Sequence, residues 1–272
     1  MLKDYRGRFP FKLATTSYIY PDEIVPNVVK LGPFFDEIEL VLFESKGQNC
    51  IPDGTQINRL IELSLLYRVG FNIHLPIDIS LGDESEKMRA TGVSVVRRVI
   101  QKTLHLNPSF YVLHLDFTNP STSSLPREEK GGVIQERDVE AWQRRLARSL
   151  KEILNSRIEA KRISVETLAY PFEWVEGIVR EFGLSICLDI GHILTHRYDL
   201  RHYLETYLPR TSIIHLHGCH NGLDHLGIEA LPEPELDLIL SSLRHYHGIV
   251  SIEVFSMNEL RSSLSILEEK WT

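Results

Sequence analysis

Short runs of apolar and β-branched residues recur along the chain, each followed by a longer stretch with a helical period. Eight such runs can be read: FKLATTSY from Phe11, EIELVLFE from Glu37, FNIHLPID from Phe71, FYVLHLDF from Phe110, RISVETL from Arg162, LSICLDIGH from Leu184, SIIHLHG from Ser212 and IVSIEVF from Ile249. Near-continuous apolar runs suit buried parallel strands, because both faces of such a sheet are covered. Between them, Val93, Val96, Ile100 and Leu104 form one apolar helical stripe, and Trp142, Leu146, Leu150 and Ile153 form another. Arg97, Arg98, Arg144 and Arg145 fall on the opposite faces, which reads as solvation. Pro171 follows the fifth run and suits the first turn of a helix. Strand and helix alternating eight times predict closure into a single (β/α)8 TIM barrel, an α/β fold spanning residues 1–272 as one domain.

Composition agrees with that reading. The chain has 272 residues, of which 43% are hydrophobic, enough to fill one such barrel. It opens MLKDYRGRFPFK, with charges throughout and no apolar leader core, and no later run is long enough to span a bilayer. A cytoplasmic protein without membrane contact is expected. Cys50, Cys187 and Cys219 lie far apart, so they suggest neither a disulfide framework nor a paired-cysteine metal site, and Cys187 reads as a small core residue. The net charge of −7 argues against a nucleic-acid partner, which normally requires a basic footprint. The longest aperiodic segment, TNPSTSSLPREEKGGVIQ at 118–135, follows the fourth run directly; it reads as a lid, with Arg127 and Lys130 as anion contacts.

The polar residues inside these apolar runs change the picture most. His74, His114, Glu166, Asp189, His192, His215 and Glu253 sit at or just beyond the carboxyl parts of six of the runs, where barrel enzymes place their active sites. Alone, His74 or His114 reads as a hydrogen-bonded core histidine, and Glu166 or Glu253 as half of a salt bridge. Six runs placing such groups at one level is harder to ascribe to packing, because unpaired buried charge is costly. Imidazole nitrogen and carboxylate oxygen suit zinc, manganese or ferrous iron, and a carboxylate can bridge two ions. After the seventh run, HLHGCHNGLDH adds His217, His220, Asp224 and His225. Strand alternation puts His215 and His217 on one side. His215 ranks first as a ligand, with His225 and Asp224 next; His217 is expected on the substrate side, and His220 in solvent.

At these residues the chain resembles the xylose-isomerase-like barrel superfamily, which includes sugar epimerases and endonuclease IV-type phosphodiesterases. The matching motifs are IHLP at His74, LHLD at His114, VET at Glu166, LDIGH from Leu188 to His192, IHLHG around His215 and SIEVF at Glu253. The resemblance implies that Glu166, Asp189, His215 and Glu253 are the four metal ligands of the epimerase branch, while His74 and His114 are similar to the multi-metal endonuclease branch. That branch carries an Asp-x-His pair after strand seven, whereas Asp224 and His225 are adjacent here. The segments ATTSYIYPDEIVPNV at 14–28 and EIELVLFES at 37–45 resemble a narrower group, the cobamide-remodelling phosphodiesterases, which open the nucleotide loop of vitamin B12-type corrinoids.

The resemblance implies hydrolysis of a phosphodiester by a metal-activated water. Two or three ions would be held by His74, His114, Glu166, Asp189, His192, His215, Asp224, His225 and Glu253, with Glu166 and Glu253 as the catalytic carboxylates. Tyr18, Glu39, His217 and Arg127 are expected to contact the corrinoid substrate, with Glu44 and Tyr20 beside them on the rim. Salt bridging is the plainer role for the two rim acids. The alternative is a one-metal sugar isomerase or epimerase in which Glu166 and Glu253 exchange a proton beside a carbonyl. A non-catalytic corrinoid-binding or metal-storing protein is a third possibility, which would not need paired acids across the barrel mouth.

Overall fold

The computed structural model describes residues 2–43, 50–117, 135–155 and 158–271. Each of the eight predicted runs supplies a strand: β1 (Lys12–Thr16), β2 (Glu37–Val41), β3 (Gly70–His74), β4 (Tyr111–Leu113), β5 (Ile163–Glu166), β6 (Ser185–Asp189), β7 (Thr211–Leu216) and, after a small hairpin of β8 (Gly218–His220) and β9 (Leu223–Leu226), β10 (Ile249–Ile252). All barrel pairings are parallel, and the sheet closes because β1 pairs with both β2 and β10. The chain therefore forms the expected (β/α)8 barrel. The hairpin was not legible as strand, since HGCHNGLDH has no apolar alternation; it forms around Asn221 and Gly222, both at positive φ.

Helices α1 (Ile24–Leu31), α2 (Gly54–Tyr67), α3 (Glu86–Thr103), α4 (Glu136–Leu154), α5 (Glu173–Phe182), α6 (Ile190–Thr195), α7 (Leu200–Tyr207), α8 (Glu233–Leu243) and α9 (Met257–Lys270) fall in the intervals between strands. Local chemistry sets several of their starts. Asp53 and Gln56 form a capping box at α2, each side chain accepting from the other's backbone N–H at 2.8 and 3.0 Å. Pro171 sits just ahead of α5, its carbonyl accepting from Trp174 N–H. The stripes predicted on α3 and α4 are buried at Val93, Val96, Ile100, Trp142, Leu146, Leu150 and Ile153. Arg145 departs from the solvation reading, because its Nε donates to the Gly82 carbonyl at 2.8 Å and ties α4 to the loop before α3.

Inside the barrel, strand alternation stacks side chains in layers. Ala14, Val112, Cys187, Ile213 and Ile249 form a buried apolar plug. Two residues further along their strands come Thr16, His114, Asp189, His215 and Ser251, so the plug is the floor on which a polar layer rests. Among the described residues, no helix is long and apolar enough to cross a membrane. The proposed lid at 118–135, with Arg127 and Lys130, lies outside the described residues except for Gln135, as does Glu44.

Trp142 ties the outer helix layer to the loop that leaves β4. Its fully buried ring packs edge-on to Phe117 and Tyr170, both at 5.1 Å, and Nε1 donates to the Asp116 carbonyl at 3.0 Å. Gly82 faces it, where any Cβ would overlap the indole. Trp142→Ala is expected to cost about 3–5 kcal/mol, the usual range for truncating a buried aromatic. Denaturant unfolding measures this; a loss near zero would show that the ring is not the tie described.

Candidate metal centre

The carboxyl end of the barrel gathers four buried acids, Glu39 from β2, Glu166 from β5, Asp189 from β6 and Glu253 just after β10, among histidines from β3, the end of β4, α6, β7 and the hairpin. Glu166 stands at the centre. Its Oε2 lies 3.1 Å from His74 Nε2, 3.0 Å from His114 Nε2 and 3.7 Å from His215 Nδ1, while Oε1 lies 3.4 Å from His192 Nδ1. The two oxygens of one carboxylate thus serve different neighbours. His74 Nδ1 donates to the Leu75 carbonyl at 3.0 Å, which leaves Nε2 as the nitrogen turned to the site.

The spacing of LDIGH has a local cause. Asp189 ends β6 and is the N-cap of α6, so its Oδ1 accepts the His192 backbone N–H at 2.6 Å. This places His192 over the same carboxylate, Nδ1 to Oδ2 being 3.5 Å. His215 pairs with Asp189 across the β6–β7 ladder and brings Nδ1 to 3.0 Å from Glu253 Oε2 and 3.6 Å from Asp189 Oδ2. His225, on the hairpin, stands 3.8 Å from Glu253 Oε2 through Nδ1.

These groups fit a cation. Both Glu39 oxygens, both His215 ring nitrogens and Glu253 Oε2 are buried without a hydrogen bond of adequate geometry among the described residues, although His215 Nε2 lies only 3.1 Å from Glu39 Oε1. Such orphaned atoms cost free energy unless something else satisfies them. Donor atoms of His74, His114 and Glu166, of Glu166, Asp189 and His192, and of Glu39, His74, His215 and Glu253 lie within 4.8 Å of one another in each set, as do those of His192, His217 and His225. Imidazole and carboxylate donors suit zinc, manganese or iron.

Protons take up part of the charge where no cation does. Burial by itself would lower the His74 pKa, but hydrogen bonding and charge from Glu166 raise it to about 9. At His192, burial is likewise outweighed by Asp189 and Glu166, and the pKa rises to about 10. For the acids the sign reverses: burial would raise Glu166, yet the positive charge of His114 and His215 holds it well below the ordinary carboxylate range.

The predicted site residues divide by position. His74, His114, Glu166, Asp189, His192, His215 and Glu253 are brought together, with His225 at the edge. Asp224 is not: its side chain is 45% exposed on the hairpin and approaches His225 at 3.9 Å, because in a tight two-stranded turn adjacent residues point to opposite faces. Glu39 was expected at the substrate rim, but it is fully buried beside His215. His217 was expected against substrate; it is buried too, with Nε2 donating to Asp189. Tyr18 does lie at the rim, half-buried, edge-on to Phe43, in a cavity of about 480 Å³ with Asp22, Cys50 and Gln56. Cys187 is buried as expected, but its sulfur comes within the donor set of Glu166 and His215. Both Glu39 and Cys187 carried a readable signal, since each shares its strand face with an inward neighbour, Glu37 and Asp189 respectively.

The family model for xylose isomerase-like TIM barrels matches residues 27–270. Three solved structures show the same fold. A D-tagatose 3-epimerase-like protein aligns with a TM-score of 0.74 at 22% identity, covering 95% of this chain and 96% of that one. Endonuclease IV from Thermus thermophilus aligns at 0.67 and 17% identity, over 95% and 99% of the two chains. The IolI protein, solved with a binding zinc atom, aligns at 0.67 and 14% identity, over 96% and 95%. Comparison with curated protein sequences gives no match.

Loading a cation must displace protons from His74 and His192, which both carry charge at about pH 7. Zinc binding is therefore expected to release protons, and affinity should rise with pH until about 9–10, by up to about tenfold per unit for each proton released. Calorimetric titration in two buffers of different ionisation enthalpy measures the release. Binding without proton release would exclude these histidines as ligands.

Proposed function

Because the chain belongs to the xylose isomerase-like TIM barrel family, we propose that it is a metal-dependent hydrolase that holds more than one divalent cation at the barrel mouth and opens a phosphodiester there. The observation that carries this reading is Glu166, whose Oε2 faces His74 and His114 while its Oε1 faces His192. A carboxylate with separate imidazole partners on its two oxygens suits a bridge between two cations, whereas a single-cation cage would leave His74 and His114 without a task. In this reading His74 and His114 hold one ion, Asp189, His192, His215 and Glu253 share in holding another, and His225 borders the second. Bound cations would supply Lewis acidity toward phosphoryl oxygens and water activated near neutral pH. The chain's own part is to fix these donors on strand ends, where packing allows little drift, and to keep bulk water from the buried acids.

The substrate we assign is the nucleotide loop of a cobamide, on the resemblance of residues 14–28 and 37–45. Among the described residues these segments contribute to β1, the start of α1 and β2, and the cavity of about 480 Å³ at Tyr18 adds room beside the mouth for part of a large ligand.

A second reading is a one-cation sugar epimerase, and the fold comparisons favour it: similar solved structures include D-psicose 3-epimerase, L-ribulose 3-epimerase and D-allulose 3-epimerase besides endonuclease IV. Glu166 and Glu253 both border His215, at 3.7 and 3.0 Å, as a pair of proton-exchanging carboxylates would.

Incubating the metal-loaded protein with a complete cobamide, and separately with ketohexoses, and identifying products by mass and chromatography tests the two readings together. The expected result is cleavage of the cobamide phosphodiester, abolished by chelation and restored by zinc, manganese or ferrous iron. Epimerised sugar with intact cobamide would overturn it. His114→Ala should lower metal per chain and hydrolysis together while the far-ultraviolet dichroism is kept; unchanged metal content would place His114 outside the metal-binding set.

A further inference from the structure

His217 lies within reach of His192 and His225, and proximity alone would make it a third imidazole ligand. Its hydrogen bonds point elsewhere. His217 Nδ1 faces backbone on two sides, 2.9 Å from the His225 N–H and 3.2 Å from the Gly218 carbonyl. Nε2 lies 3.1 and 3.2 Å from the two Asp189 oxygens and donates to that carboxylate, which as an ionised acid can only accept. Both ring nitrogens are thus engaged by protein groups. The ring is fully buried, stacked on His225 at 4.3 Å, and lodged against Gly191, where a Cβ would overlap it.

From this arrangement we infer that His217 is a positioning residue: a buried ring that fixes Asp189 through Nε2 and registers the β8–β9 hairpin, and with it His225, to the carboxylates of the site. The inference deepens the hydrolase reading and rests on its placement of cations at Asp189. Asp189 Oδ1 already accepts from the His192 N–H at 2.6 Å, and the added bond from His217 completes the set that turns Oδ2 toward His215 and His192. The glycine of LDIGH acquires a reason as well. It is the gap through which a ring just after β7 reaches a carboxylate on β6.

Nitrogen-15 spectra of histidine-labelled protein test this in the wild-type chain, metal-free and loaded with cadmium-113. The expected result is an Nε2-protonated His217 in both states, with no coupling to cadmium, alongside coupling at His215. Cadmium coupling at His217, or a ring without a proton on Nε2, would overturn the inference. His217→Ala and His217→Gln give a second readout: metal per chain should stay at the wild-type value while the Kd for zinc weakens about 10–100-fold in the alanine variant, as loss of such orienting partners typically does, with partial recovery in the glutamine variant, which keeps a donor for Asp189. Loss of one metal equivalent would make His217 a ligand instead. If the wild-type protein takes up no metal, the hydrolase reading fails while the tautomer in the metal-free spectrum still decides the role of His217.

Discussion

Four carboxylates buried within one layer of a barrel interior are the constraint on which the rest of the site depends. Glu39, Glu166, Asp189 and Glu253 are each removed from water, and so much negative charge in a low-dielectric interior is sustained only by compensating positive charge. In the chain by itself that charge comes from protonated imidazoles, which is why His74 and His192 hold their protons to about pH 9 and 10. Divalent cations compensate the same acids with fewer groups. The pKa pattern of the site and its orphaned polar atoms are thus two signs of one charge imbalance, which the proposed exchange of protons for metal would relieve.

Barrel geometry converts that imbalance into a defined cage. Parallel strands bring alternate residues inward, so a plug of Ala14, Val112, Cys187, Ile213 and Ile249 automatically puts the next inward residues at a common height. Local rules then refine the directions: Asp189 caps α6 and so draws His192 over itself, while Leu75 fixes the tautomer of His74. The hairpin contributes His225 by being stapled through His217 to the neighbouring strand.

The barrel and the ionisable residues that gather at its carboxyl end were legible in the sequence because both follow period-two and period-3.6 patterns. His74, Glu166, Asp189, His215 and Glu253 interrupt apolar runs, and an ionisable residue inside such a run is visible without coordinates. The errors arose where periodicity ends. Asp224 was placed in the cage by its neighbourhood to His225, but a tight hairpin sends adjacent side chains apart. Glu39 belongs to the inward face that the alternation in EIELV shares with Glu37, so the strand period, and not the resemblance of that segment, gives its place. His217 was put on the correct face of its strand, yet its role depends on a backbone N–H eight residues later, a contact that no local pattern encodes.

The central claim is that Glu166 joins two cation positions. Diffraction from crystals grown with zinc, recorded on both sides of the zinc absorption edge, tests it most directly, because anomalous peaks locate and count the ions independently of any activity. At least two peaks are expected at the barrel mouth, one beside His74 and His114 and one beside Asp189 and His215, with Glu166 touching both. A single peak beside Asp189 and Glu253, with His74 and His114 bound only to protein, would contradict it.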